Sequence, residues 1–121
     1  MTVRRLLFTL TPLLILCLSA TPAPAETVTE VWRGGGFDGP HSVSVNPTDG
    51  SCWVADYYHN QVVHLAEDGA ELWRGGGFSL PRSVSVNATD SSCWVADGNN
   101  DDVVHLAEDG SELSRAGGDV T

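Results

Sequence analysis

From residue 42 onward, apolar and polar side chains alternate in short runs divided by turn-forming residues, the pattern of antiparallel strands. Ser42-Val43-Ser44-Val45 sets small polar against β-branched residues. Asn46-Pro47-Thr48-Asp49-Gly50 then reads as a turn, because proline presets φ and glycine accepts a positive one. Cys52-Trp53-Val54-Ala55-Asp56 is a second strand, apolar enough to be buried on both faces, and Val62-Val63-His64-Leu65 is a third. Glu67-Asp68-Gly69 turns it tightly into a fourth, Glu71-Leu72-Trp73-Arg74.

This pattern then recurs. Glu30-Val31-Trp32-Arg33-Gly34-Gly35-Gly36-Phe37 returns as Glu71-Leu72-Trp73-Arg74-Gly75-Gly76-Gly77-Phe78, and the register holds without a gap through Asp68-Gly69 and Asp109-Gly110. Roughly 29 of about 41 aligned positions are identical, and a third copy begins at Glu112-Leu113-Ser114-Arg115. A four-stranded meander at a period near 40 residues predicts the blade of a β-propeller, and equal sequence in equal register predicts matching buried positions for Trp53 and Trp94.

The string Gly-Gly-Phe-x-x-Pro-x-x-Val-x-Val-Asn, followed by Trp-Val-Ala-Asp and then Val-Val-His-Leu-x-x-Asp-Gly, resembles the NHL repeat. Such repeats usually carry Asn three residues after the Asp of Val-Ala-Asp, and often Arg two residues later. The second copy has Asn100 but Asp102, and the first has His59 and Gln61. The expected fold class is therefore all-β, a partial propeller of two four-stranded antiparallel NHL-like blades plus one orphan outer strand. The expected boundaries are an outer strand and connector at 26–41, blade 1 at 42–74, connector and blade 2 at 75–115, and a tail at 116–121. The resemblance implies about six blades in a closed ring, because a blade hides its faces only against neighbours. Two blades leave apolar faces open, so either copies associate through those faces, three making a ring, or the chain is a piece of a longer propeller.

The segment before the repeats reads as a secretory signal peptide, residues 1–25: Arg4 and Arg5, an apolar run from Leu6 to about Ser19, and a small-residue site at Ala23-Pro24-Ala25. That run falls short of the roughly 20 residues needed to span a bilayer. A secreted, periplasmic or extracellular location is expected, without a membrane anchor after cleavage. Two of the six arginines precede residue 26, all sixteen acidic residues follow Ala25, and lysine is absent, leaving a mature charge of about −12. Nucleic acid is a poor partner for such a chain, since polyphosphate binding depends on cationic side chains. Protein or carbohydrate ligands suit it better.

Comparing the copies shows where the chain differs from itself. About eight of roughly a dozen differences fall in the two loops that a propeller places on one face. Asp38, Gly39 and His41 stand against Ser79, Leu80 and Arg82, and Tyr57 to Gln61 against Gly98 to Asp102. Loops on a rigid frame carry recognition, although loops also drift faster than strands. The candidate ligand-binding residues are Asp38, His41, Tyr57, Tyr58, His59, Arg82, Asn99, Asp101 and Asp102, with the tyrosines suited to stacking a sugar ring or holding a cation.

No cofactor is expected, and calcium alone is left open. Asp97, Asn99 and Asp101, with Glu108 at the twelfth place, resemble a calcium loop, but Asp102 stands where that loop needs glycine. His64 and His105 read as strand residues and not metal ligands, since no carboxylate recurs around them at ligand spacing. Cys52 and Cys93 read as small buried residues held too far apart for a bridge. No catalytic residue is assigned. The expected role is an exported binding or scaffold module. The alternative is a truncated relative of six-bladed propeller enzymes of the gluconolactonase, strictosidine synthase or amidating-lyase type.

Overall fold

The computed structural model describes residues 29–118, and residues 1–25, read above as a signal peptide, lie outside the described residues. Eight strands follow one another: β1 Pro40–Val45, β2 Cys52–Asp56, β3 Gln61–Leu65, β4 Glu71–Gly75, β5 Pro81–Asn87, β6 Ser92–Asp97, β7 Asp102–Leu106 and β8 Glu112–Gly117. They form two four-stranded antiparallel sheets, β1-β2-β3-β4 and β5-β6-β7-β8, the two blades expected from the repeat.

The turns are built as their residues dictate. Asp49, Asp90, Asp68 and Asp109 each accept a hydrogen bond from the backbone two residues on, and Gly69 and Gly110 close the outer hairpins with φ of 84° and 85°. Register irregularities also repeat. One falls between Pro40 and Ser42 and again between Pro81 and Ser83, so that His41 and Arg82 stand at bulges.

Strand alternation gives each blade two faces. Trp53, Ala55, Val62 and Trp73 of blade 1 point towards blade 2, whose Val84, Cys93, Val95, Val104 and Leu106 meet them around Phe78 in one cluster. On the other side of blade 1, Val54, Val63 and Leu65 form a second cluster, covered in part by Phe37. The innermost strands explain the Ser-Val-Ser-Val motif. β5 has a ladder partner on one side only, so alternate amides point away from it. The Ser42 and Ser44 hydroxyls accept hydrogen bonds from the Val84 and Val86 amides at 3.3 and 3.0 Å.

Two expectations need correction. The segment preceding β1 forms no strand over residues 31–36, because it has no ladder partner, yet Trp32 lies on Gly69 as Trp73 lies on Gly110. Trp53 and Trp94 share register and each stacks on a histidine, but Trp53 is fully buried while Trp94 is 43 % exposed. Blade 2 covers the first, and among the described residues no other sheet lies over the second. Trp53→Ala should therefore cost about 3–5 kcal/mol, and Trp94→Ala less than half as much, in urea unfolding of dilute protein. Equal costs would show that packing between the blades contributes little.

Candidate ligand-binding face

Asp56 ends β2 and is fully buried, and its carboxylate organises the loop face. Oδ1 accepts from the Asp38 amide at 2.7 Å, and Oδ2 lies 2.9 Å from His59 Nδ1 and 3.4 Å from an Arg74 guanidinium nitrogen. Asp97 repeats the device. It accepts from the Ser79 amide at 2.6 Å and the Asn100 side chain at 2.7 Å, with Arg115 at 3.5 Å. One buried carboxylate thus ties the inter-blade connector to the β2–β3 or β6–β7 turn. The positions where the NHL repeat often carries arginine have donors from elsewhere: Arg74 donates to Gln61 at 3.0 Å and Arg115 to Asp102 at 2.8 Å.

The aromatic candidates converge above this frame. The ring of His41 stacks on Tyr57 at 4.0 Å between centroids, and the Arg82 guanidinium from the next blade lies 5.7 Å from the same ring. Both partners stand at the bulges, which turn their side chains towards the loop face. The differences between copies are coupled here: a Cβ at Gly98 would meet Arg82 at 2.7 Å, so glycine where the first copy has Tyr57 makes room for that side chain. Tyr58 meets Tyr57 edge-on at 4.8 Å, packs on Gly39, and remains 61 % exposed. Tyr57 therefore has partners against its ring, and Tyr58 is the one that presents free surface.

The other candidates lie apart from this cluster. Asp38 and His59 serve the Asp56 network, and Asp102 is ion-paired with Arg115. Asn99 bonds the Ser79 carbonyl and hydroxyl, and Asp101 is exposed with φ of 54°. A calcium loop would have to close Glu108 onto Asp97, Asn99 and Asp101, but β7 separates the two ends. Among the described residues no group of three metal-ligating side chains comes together. Cys52 and Cys93 are both free thiols, and burial pushes the Cys93 pKa up to about 12.

Asp56 and Asp97 are identical in both copies, so the differences between copies that mark the ligand-binding candidates do not point to them. A charged residue closing an otherwise apolar strand was the signal available.

The comparisons agree with this architecture. Residues 37–65 match the NHL repeat. The second NHL-like blade repeats those residues in register. By sequence, no curated protein matches the chain. Among solved structures, a protein of unknown function from Bacteroides caccae is similar with a TM-score of 0.53 and 22 % identity, over 62 % of this chain and 27 % of that one. A streptogramin B lyase is similar with a TM-score of 0.58 and 15 % identity, over 74 % of this chain and 30 % of that one. The hydrazine synthase of Kuenenia stuttgartiensis also reaches 0.58 at 15 % identity, over 69 % and 24 %. The chain spans less than a third of each of these structures, and the likeness is one of fold.

His64 gives the frame a pH dependence. It is buried against Trp53, neither ring nitrogen has a well-aligned partner, and burial lowers its pKa below the ordinary 6.5. The Glu108 main chain and the Asp49 and Glu108 carboxylates oppose that shift without cancelling it. The unfolded chain therefore binds the proton more readily, and stability should fall as pH drops below about 6.5, by at most about 1.4 kcal/mol per pH unit. His64→Phe, which keeps the stack on Trp53, should flatten the dependence of unfolding free energy on pH between 7.5 and 5.5. An unchanged slope would exclude His64 as its source.

Proposed function

We propose that the chain is an exported, propeller-type binding module that takes a protein or carbohydrate ligand on its loop face. The observation that carries this reading is the cluster of His41, Tyr57 and Arg82, assembled from two blades on a frame stapled by Asp56, with Tyr58 exposed beside it. An exposed ring held on a rigid scaffold offers stacking area at little entropic cost, which suits a sugar or a cationic side chain. The strongly acidic surface favours neutral or cationic ligands and disfavours nucleic acid. Export is supported by Arg4, Arg5, the apolar run and Ala23-Pro24-Ala25. The lyase and synthase among the similar structures lend the chain their fold and no assigned reaction.

Screening the purified protein against an array of neutral glycans and cationic peptides, followed by calorimetry, tests this. Tyr58→Ala should weaken binding several-fold, since aromatic stacking contributes on the order of 1 kcal/mol. Thr48→Ala and Ser111→Ala, in the turns on the opposite face, should leave it unchanged. Equal losses from both faces would mean that the variable loops do not form the site.

A further inference from the structure

The interface inside this chain has two halves, and each half is present a second time with only partial cover among the described residues. Blade 1 offers Ser42, Ser44, Trp53, Ala55 and Val62 to Val84, Val86, Cys93, Val95, Val104 and Leu106 of blade 2. The far side of blade 2 carries Ser83, Ser85, Trp94, Ala96 and Val103, identical to the first set residue for residue, with Trp94 43 % and Val103 45 % exposed. The near side of blade 1 carries Val43, Val45, Cys52, Val54, Val63 and Leu65, identical to the second; Val54, Val63 and Leu65 are buried beside Phe37, but Val43 is 61 % and Val45 58 % exposed. A groove of about 390 Å³ on that near side, between Trp32, Phe37, Val43 and Val54, marks where a neighbouring face would sit. Among the described residues no side chain bonds the amides of Val43 and Val45, the counterparts of those that Ser42 and Ser44 satisfy. On the near side of blade 1 the carboxylates Asp56 and Glu71 are both paired with Arg74, at 3.4 and 3.0 Å.

A second feature says what covers these faces. Trp73 is clamped between Gly75 of its own strand and Gly110 in the outer hairpin of the next blade, where a Cβ on either glycine would strike its ring. Trp32 makes the same clamp with Gly34 and Gly69. In the third copy both members change together: Ser114 stands in place of the tryptophan and Ala116 in place of the glycine. β8 therefore cannot clamp a following hairpin. A body stacked on blade 2 must bring its own tryptophan, and the near side of blade 1 already has one, Trp32, on its Gly69.

We propose that copies of this chain associate head to tail, the far face of blade 2 in one copy seated on the near face of blade 1 in the next. The Ser83 and Ser85 hydroxyls then accept hydrogen bonds from the Val43 and Val45 amides of the second copy. Residues 31–36 of that copy and β8 of the first would occupy one place, the outer strand position beside β7. Only residues 31–36 carry the Trp-Gly clamp, so they take the outer position and β8, exposed along its length, yields it. The interface is heterologous, so each association leaves one face of each kind for the next copy, and the assembly closes into a ring or grows until its ends meet. This reading is independent of what the loops bind.

Sedimentation velocity on the purified protein from about 1 to 100 μM tests it, with far-ultraviolet circular dichroism confirming the sheets of every variant. The parent protein should form species at integer multiples of the chain mass, growing with concentration. Val103→Asp and Val45→Asp, each at an exposed position on one of the two faces, should each give monomers when alone. Mixed together they should give a heterodimer and nothing larger, because one sound face of each kind remains. Trp32→Ser should weaken the parent association at least ten-fold. A parent protein monomeric at 100 μM, single variants that still assemble, or mixed variants that stay monomeric would each overturn the head-to-tail interface. An undiminished Trp32→Ser would overturn the strand exchange.

Discussion

A four-stranded sheet with apolar residues on both faces is complete only when something lies on each of them, and most features of this structure follow from that requirement. Blade 1 meets blade 2 through Trp53, Ala55 and Val62 on one side and Val84, Val95 and Val104 on the other, and there the side chains are buried. The edge of β5 is satisfied in the same contact by the Ser42 and Ser44 hydroxyls. At the two ends of the pair parts of the same faces lie open, at Val43 and Val45 on one side and Trp94 and Val103 on the other. Hydrophobic burial at about 25 cal/mol per Å² then favours any arrangement that repeats the internal contact, before a ligand is considered.

Two polar devices let the loop face differ between blades while the frame does not. Asp56 and Asp97 each gather a connector amide and a turn side chain, and both carboxylate oxygens have partners, which is what makes a fully buried acid tolerable. His59 and Asn100 differ in type but make the same contact, so that change is neutral to the frame. The pairing of Tyr57 with Arg82 across the blades, and of Arg82 with Gly98 beneath it, is another matter. There the two copies differ in order to fit one another.

The architecture was legible because the period is long and ungapped. Each strand starts within a residue or two of where the alternation of Ser-Val-Ser-Val, Cys-Trp-Val-Ala-Asp and Val-Val-His-Leu placed it, and each turn falls on its Asx or glycine residue. The candidate face was legible in part. His41, Tyr57, Tyr58 and Arg82 come together as a cluster, whereas Asp38, His59 and Asp102 are committed to hydrogen bonds and ion pairs that hold the loops. A loop residue that differs between copies looks the same in sequence whether it faces solvent or a buried carboxylate.

The amino-acid sequence by itself determined the strands, their ladders, the turns and the division of each blade into two faces, since these depend on contacts made within one repeat. Only the tertiary structure decided which of two identical residues is buried. Trp53 and Trp94 share their neighbours in sequence, their ladder partners and their stacked histidines, and they differ in exposure because a face is covered by the next body along and not by its own strand. The same holds for Val43 against Val84 and Val62 against Val103. Local sequence specifies a surface, and burial belongs to whatever is packed upon it.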